Sequence, residues 1–179
     1  MSNNIVLLAG SPRKGGNTDK LAAAFMEGAQ SAGKNVTMFR VADMSISGCL
    51  GCGHCFIEKG VCVQKDDMIK ILDALRKADA IVLASPVYFF GATAQIKSAI
   101  DRTYALLTEK TPVQRAALLM TCGDSSPDAA EGAVAMYKRI RAYSKWEDAG
   151  IITAAGLHNP DDIDGRAELE EARKLGQEI

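Results

Sequence analysis

Four cysteines stand within fourteen residues, Cys49, Cys52, Cys55 and Cys62, in the stretch CLGCGHCFIEKGVC. Thiolates are soft ligands suited to iron–sulfur clusters and zinc. Cys49, Cys52 and Cys55 follow one another at C-x2-C spacing, which supplies one thiolate to each of three irons of a cube, and Cys62 can reach the fourth. In many two-cluster ferredoxins the fourth cysteine serves the other cluster and precedes a proline. Here one set exists and Val63 follows, so all four thiols would serve one centre. Gly51 and Gly53 let the backbone pass close to the sulfides with amides free to donate. Two other states remain open. Structural zinc usually joins two C-x2-C pairs across a long gap, and the thiols could instead stay free, form a labile disulfide or exchange. His54 reads as a solvent-facing or hydrogen-bonding residue rather than a ligand.

A second stretch, SPRKGGNT, runs from Ser11 to Thr18 between an apolar run and a helical pattern. It fails as a Walker loop, because Gly15 and Gly16 precede Asn17-Thr18 rather than Lys-Ser/Thr, and as a dinucleotide loop, because Gly10 precedes Ser-Pro. What remains is a nest of backbone N–H groups at a helix N-terminus, ringed by Ser11, Arg13, Asn17 and Thr18. Such a nest suits a compact phosphate monoester dianion and needs no metal. The competing reading is a surface turn with incidental polar residues.

The elements that must carry these loops alternate regularly. Short continuous apolar runs at Ile5–Leu8, Ala80–Ala84, Ala116–Met120 and Gly150–Ala155 read as strands, most of them covered on both faces, and Val36–Val41 alternates as another. Between them, helical spacing runs from Asn17 to a stop at Gly33, through Met68, Ile71, Leu72 and Leu75 after a cap at Asp66 or Asp67, over Ala94–Leu107, over Pro127–Lys145 with Pro in the first turn, and over Arg166–Leu175. Strand–helix alternation predicts an α/β fold, a five-stranded parallel sheet in the order 2-1-3-4-5 between two helical layers. Ligands of such sheets sit beyond the strand carboxyl ends, at the order reversal. Residues 1–179 are expected to form one domain, with the cysteine loop at 48–65 as its insertion.

Two further loops fall at those carboxyl ends, SPVYFFG after the third strand and TCGDSSP after the fourth. The chain has one Trp, four Tyr and five Phe, so Tyr88, Phe89 and Phe90 in succession are a concentration. A flat ring could lie against Tyr88 or Phe89, with amides from Val87 to Phe89 meeting its polar edge; alternatively the phenylalanines plug the sheet end. A phosphate at the first loop and a planar ring at the others describe a mononucleotide with a large ring, and flavin mononucleotide (FMN) fits best. Cys122 taken alone suits a small buried hydrophobe, and His158 reads as an ordinary tail residue.

The stretches GSPRKGGNT and ADAIVLASPVYFFGATAQIKSAIDR resemble the flavodoxin-like NAD(P)H-dependent FMN reductases over nearly the whole chain. The cysteine spacing resembles that family's iron–sulfur flavoprotein branch, in which it binds a [4Fe–4S] cluster beside FMN. The resemblance implies that Ser11, Arg13, Asn17 and Thr18 hold the FMN phosphate with Lys14 nearby. It implies that Pro86, Val87, Tyr88 and Phe89 meet the isoalloxazine, and that Cys122 and Gly123 form the third flavin loop. It further implies NAD(P)H or ferredoxin as electron donor, a small-molecule or protein acceptor, and a homodimer or homotetramer. A cluster-free NAD(P)H-dependent reductase of flavin, quinones or nitro compounds, and a non-catalytic carrier or redox sensor, are the alternatives. Lys97, Asp101 and Arg102 match a recurrent family pattern and read as ion-pairing or subunit-contact residues.

Composition narrows the class. With 21 Lys and Arg against 22 Asp and Glu, the net charge of −1 provides no broad basic field for nucleic acid or anionic lipid. The N-terminal apolar run IVLLA is too short for a secretory signal or a membrane span. Five cysteines without an export signal suggest a reducing cytoplasm. The flavin would carry the redox chemistry, so no acid–base triad is required.

Overall fold

The apolar runs become the buried strands of one sheet. The structure is a computed structural model that describes residues 4–109, 111–126 and 128–179. The first half comprises β1 (Asn4–Ala9), α1 (Asn17–Ser31), β2 (Asn35–Arg40), a single turn α2 (His54–Ile57) and α3 (Met68–Leu75). The second half comprises β3 (Ala80–Tyr88), β4 (Gly91–Ala92), α4 (Ala94–Arg102), β5 (Arg115–Thr121), α5 (Glu131–Ser144), β6 (Glu147–Ala154) and α6 (Ala167–Glu178).

Five strands pair in the order β2-β1-β3-β5-β6, all parallel, and β1 takes both β2 (Ile5 opposite Val36) and β3 (Ile5 opposite Ala80) as neighbours. This is the expected flavodoxin-like order, with one addition. The two-residue β4 folds back antiparallel on the end of β3, pairing Val87 with Ala92 and Tyr88 with Gly91. Between them Phe89 and Phe90 both have positive φ, +49° and +65°. A two-residue loop with both residues left-handed matches the twist of a hairpin, but nothing in an FF dipeptide announces it, since Gly or Asn normally occupies those positions.

The period-two alternation of β1 divides its side chains between two cores. Ile5, Leu7 and Ala9 meet α1 and α6 residues such as Leu21, Phe25 and Leu175. Val6 and Leu8 face Met68, Ile71, Ile96 and Tyr137 from α3, α4 and α5. Helix α1 stops where Gly33 turns left-handed (φ +77°), with Gly33 and Lys34 amides returning to Gln30 and Ala29 carbonyls. Of the two capping candidates for α3, Asp66 accepts from the Met68 amide at 3.1 Å, while Asp67 accepts from the Ser45 amide at 2.9 Å. Two boundaries differ from expectation. Helix α5 begins at Glu131 rather than in the region of Pro127, a residue outside the described set, and after Arg102 the fourth helix tightens into a 3-10 stretch, Thr103–Thr108.

Helices α1 and α6 approach closely because both present glycine at the contact. A Cβ on Gly28 would stand 1.9 Å from the Arg173 carbonyl oxygen, and one on Gly176 would stand 2.1 Å from that of Phe25. Only backbone lies in the way, so the helices must part. Gly28→Ala is therefore expected to destabilise the fold by about 1–3 kcal/mol, despite alanine's better helix propensity. Urea unfolding checks this, and an unchanged or raised midpoint contradicts the packing described.

Candidate functional site

The ends of β1, β3 and β5 are tied together before any ligand is considered. Thr93 at the start of α4 donates its hydroxyl to the Gly10 carbonyl (2.8 Å), and its amide donates to Ser85 Oγ (3.1 Å). The Gly10 amide in turn donates to the Ala84 carbonyl at 2.8 Å. Glycine is required at position 10, since a Cβ would fall 2.6 Å from Ile96 Cβ and 2.8 Å from Thr93 Oγ1. Beyond it the loop curls back on itself. Ser11, buried, accepts the Arg13 amide at 3.2 Å, and Asp19 accepts the Gly15 amide at 2.8 Å. Arg40 at the end of β2 pairs with Asp19 and donates to the Ser11 carbonyl, so it braces the loop from behind. Thr18 and Thr121 share a buried 2.6 Å hydroxyl hydrogen bond, which joins the first loop to the end of β5.

These ties shape a cleft of about 240 Å³. Ser11, Arg13, Asn17 and Thr18 line it from the first loop, Pro86, Val87 and Tyr88 from the end of β3, and Cys122 and Gly123 from the loop after β5. Two expected residues lie elsewhere. Lys14 turns outward to Asp43 at 3.3 Å, drawn by the carboxylate that also pairs with Arg40. Phe89, at the tip of the hairpin, is 98% exposed, because its left-handed backbone points the ring away from the sheet end. The plug reading of Phe90 fails on the same ground, since it is also exposed.

The structure adds Gly16, Thr121, Leu157 and His158 to the lining. His158 reaches the cleft because the Asn17 side chain latches the loop after β6, donating to the Asn159 carbonyl (2.9 Å) and accepting from the Ile163 amide (3.3 Å). The side chain of Asn17 is thus a latch as well as a wall. The sequence signal that could have found His158 is its place two residues beyond Gly156, at the carboxyl end of a strand. Burial, helped by the charge of Asp124, pushes the Cys122 thiol pKa upward, and its sulfur turns toward the Asp124 carbonyl at 3.4 Å. A thiol held in that state is a poor nucleophile.

A larger groove, about 640 Å³, lies on the flank between α4, the 3-10 stretch and α5, lined by Ile100, Tyr104, Met136 and Trp146 among others. Its walls are mainly side chains of helix flanks. The smaller cleft has the loop-end amides and hydroxyls that chemistry at a strand terminus requires, which makes it the candidate site.

The cysteine loop stands apart, on the side of the sheet covered by α3 and α4. Cys49 and Cys52 are exposed; Cys55 and Cys62 are half-buried and pack against the core beneath. Gly51 and Gly53 are left-handed (φ +63° and +71°), and the Gly51 amide lies 3.5 Å from Cys49 Sγ. Burial raises the Cys55 thiol pKa first, and the charges of Cys62, Cys49 and Cys52 raise it further. Among the described residues no three metal-ligating side chains converge on one point. The donor set fits a cluster in chemistry and in the N–H-to-sulfur contact, while closure around a common centre would need these exposed thiols to turn inward.

The neck of that loop is tightly held. Arg102, almost wholly buried, donates to both Asp66 oxygens (2.8 and 3.0 Å) and to the Ser47 carbonyl (2.9 Å), and Asp66 also accepts the Ser47 amide at 3.1 Å. On the far side Thr108 donates to the Cys55 carbonyl, and Arg76 joins the Gly60 carbonyl to Glu109. Lys97 and Asp101, the other members of the recurrent pattern, form an exposed i,i+4 pair at 2.6 Å.

Residues 3–153 match the sequence model of the family described as NADPH-dependent FMN reductase. The chain belongs to that family. Among its curated relatives, an iron-sulfur flavoprotein from Archaeoglobus fulgidus is 42% identical over 95 residues, covering 53% of this chain and 43% of the relative. One from Methanocaldococcus jannaschii is 37% identical over 102 residues, covering 57% and 52%. The chain thus spans about half the length of the curated relatives it matches. Among solved structures, an NAD(P)H:quinone oxidoreductase from Methanothermobacter marburgensis superposes with a TM-score of 0.76 over 99% of this chain and 96% of that one, at 18% identity. That likeness is one of fold. Among the described residues no helix is long and apolar enough to cross a membrane.

The neck of the cysteine loop has a pH dependence with a definite sign. Burial alone would raise the Asp66 pKa, but hydrogen bonds from Arg102, Ser47 and Met68 outweigh it and hold the carboxyl below its ordinary value. A depressed folded-state pKa contributes stability that is complete above the unfolded value, about 3.9 for aspartate, and is lost as pH falls through the folded value. Acidification below about pH 4 is therefore expected to release residues 45–67 before the sheet melts. Limited pepsin digestion followed by mass mapping checks this, and Asp66→Asn should remove the pH dependence.

Proposed function

We propose that the chain is an FMN-dependent oxidoreductase whose cleft holds the cofactor and whose cysteine loop ligates a [4Fe–4S] cluster. One observation carries the flavin reading. Hydroxyls and backbone amides of the β1–α1 loop share a single cleft with Pro86–Tyr88 and Cys122–Gly123, the polar end beside the planar one. Ser11, Arg13, Thr18 and the amides around Gly16 would take the phosphate, favoured by the α1 N-terminus. Tyr88 and the Pro86–Val87 backbone would meet the ring, with Cys122 and Gly123 closing its other edge. Bound FMN would supply hydride or two-electron chemistry and release electrons singly; this chain's residues would bind it, orient it and limit water on one face. The cleft is smaller than the roughly 300 Å³ at which ligand pockets usually begin. Part of the ring would therefore stay open to an incoming nicotinamide or be covered by a second subunit, which favours a homodimer or homotetramer.

The cluster reading rests on the four cysteines within fourteen residues and on the iron-sulfur flavoprotein relatives. Cys49, Cys52, Cys55 and Cys62 would be the ligands, and a one-electron centre beside FMN would link NAD(P)H or ferredoxin to a one-electron acceptor in the cytoplasm. A second reading, a cluster-free NAD(P)H-dependent reductase of quinones, nitro compounds or free flavin, is favoured by the lack of convergence among the thiols. Anaerobic purification with FMN, iron, sulfide and zinc analysis separates the two. Four irons per chain, or about that, with matching sulfide support the cluster. Bound FMN without iron rules out the cluster reading and favours the second, and absence of FMN sinks both.

The phosphate assignment has its own test. Ser11→Ala together with Arg13→Ala should weaken FMN binding at least tenfold, since hydrogen bonds to a charged group contribute about 1.5–3 kcal/mol each. Riboflavin, which lacks the phosphate, should bind the variant and the parent alike in a flavin-fluorescence titration. Equal losses for both ligands would mean that these residues only maintain the shape of the loop.

A further inference from the structure

The loop after β6 is fixed at the cleft from two sides. From α1, Asn17 holds the Asn159 carbonyl and the Ile163 amide, and Lys20 pairs with Asp161 and Asp164 at 2.6 Å each. From the loop after β5, the carbonyls of Cys122 and Asp124 accept the amides of Leu157 (2.9 Å) and Gly156 (3.1 Å). Asp161 turns left-handed at φ +75° to complete the bend, a conformation that a residue with a side chain holds only under such anchoring. His158, between these ties, is exposed to solvent and yet lines the cleft. Its Nδ1 stands 3.5 Å from where a Cβ on Gly123 would lie, so the ring rests against the loop after β5.

The ionisable residues lining the cleft are Arg13, Tyr88, Cys122 and His158. Of these residue types only an imidazole changes charge between about pH 5 and 8 when unperturbed. An arginine is a permanent cation, and the Cys122 thiol, pushed up by burial, is turned to the Asp124 carbonyl. Two carboxylates complete the surroundings. Asp124 is engaged by the Ser126 amide at 2.8 Å, and Asp162 accepts the Asn159 amide at 2.7 Å. That second hydrogen bond above all, with a smaller contribution from the charge of His158, holds the Asp162 carboxyl below its ordinary range, so an anion stands in the same loop as the imidazole.

We propose that His158 is the charge-balancing residue of the flavin cleft: its imidazole takes up a proton from water as the cofactor beside it is reduced. A hydride from a nicotinamide donor carries two electrons and one proton, so the cleft gains one negative charge and the oxidised nicotinamide leaves with the positive one. His158 forms one N–H bond with a solvent proton, and the imidazolium cancels that charge. It returns the proton to water when the electrons leave for the acceptor. The steady solvent exposure of the ring supplies the proton, and the anchored loop keeps the ring at the cleft wall. The inference rests on the FMN reading above and holds whether or not the cysteine loop carries a cluster.

Two arms test it. The chain has two histidines, His54 and His158, so His54→Gln assigns both imidazole C2–H resonances. In the full-length chain, added FMN should shift the His158 resonance and leave that of His54 in place. Anaerobic reduction of the FMN-loaded protein with dithionite should then raise the His158 titration midpoint by about one unit or more, the usual effect of an opposite charge within about 4–6 Å. A midpoint indifferent to reduction, in protein whose flavin-fluorescence titration shows bound FMN, overturns the inference and leaves the flavin reading standing. Failure to bind FMN overturns both. The second arm uses His158→Gln, provided that it melts and binds FMN as the parent does. Between the oxidised and reduced midpoints of His158, the flavin's reduction potential should fall with pH less steeply in the variant, by one proton per two electrons. Equal slopes in variant and parent overturn the inference. Should that variant not fold, the resonance arm decides alone.

Discussion

The hydroxyl of Thr93 on the carbonyl of Gly10 is the contact on which the candidate site depends. It fastens the turn that leaves β1 to the turn that enters α4, and it works only because residue 10 has no side chain. The reversal of strand order between β1 and β3 brings these two turns side by side. Sheet topology supplies the neighbourhood, and this hydrogen bond fixes the distance. The Thr18–Thr121 pair repeats the device between the first loop and the end of β5. Three segments far apart in sequence are thereby held rigidly before any cofactor arrives, as a preorganised site requires.

Polar bonds play a different role on the other side of the sheet. The cysteine loop has little apolar cover, with Leu50, Phe56 and Ile57 exposed, so it cannot hold its shape by burial. The Asp66–Arg102–Ser47 clasp, with Arg76 and Thr108 opposite, substitutes for a core. A buried ion pair contributes little net stability compared with a well-packed apolar pair. Its worth here is one of register, since it fixes where the chain leaves the domain and where it returns.

Much of this was legible in the sequence. Continuous apolar runs marked β1, β3 and β5 because strands buried on both faces need them, and the strand order followed from the alternation. The loops after β1, β3 and β5 were singled out by their places at strand ends, and Pro86 and Gly123 were named through the family resemblance; residues of all three loops line one cleft. What escaped depended on contacts across the chain. Lys14 was drawn to Asp43, and Phe89 was turned outward by a left-handed hairpin that its residue type does not favour. His158 read as a tail residue because the Asn17 latch that brings it to the cleft spans 142 positions. Arg102 read as an ion-pairing or subunit-contact residue, and it does pair, but its burial was hidden because its partners Asp66 and Ser47 are both remote in sequence.

The central claim is that one small cleft at the carboxyl ends of β1, β3 and β5, rather than the larger groove on the flank, receives FMN. Amide hydrogen exchange with and without added FMN tests it most directly. Slowed exchange at residues 10–18, 85–88, 121–123 and 157–158, with the walls of the Trp146 groove unaffected, is the result that this account predicts. Protection confined to the groove, or no protection in any of the three loops at saturating FMN, would contradict it.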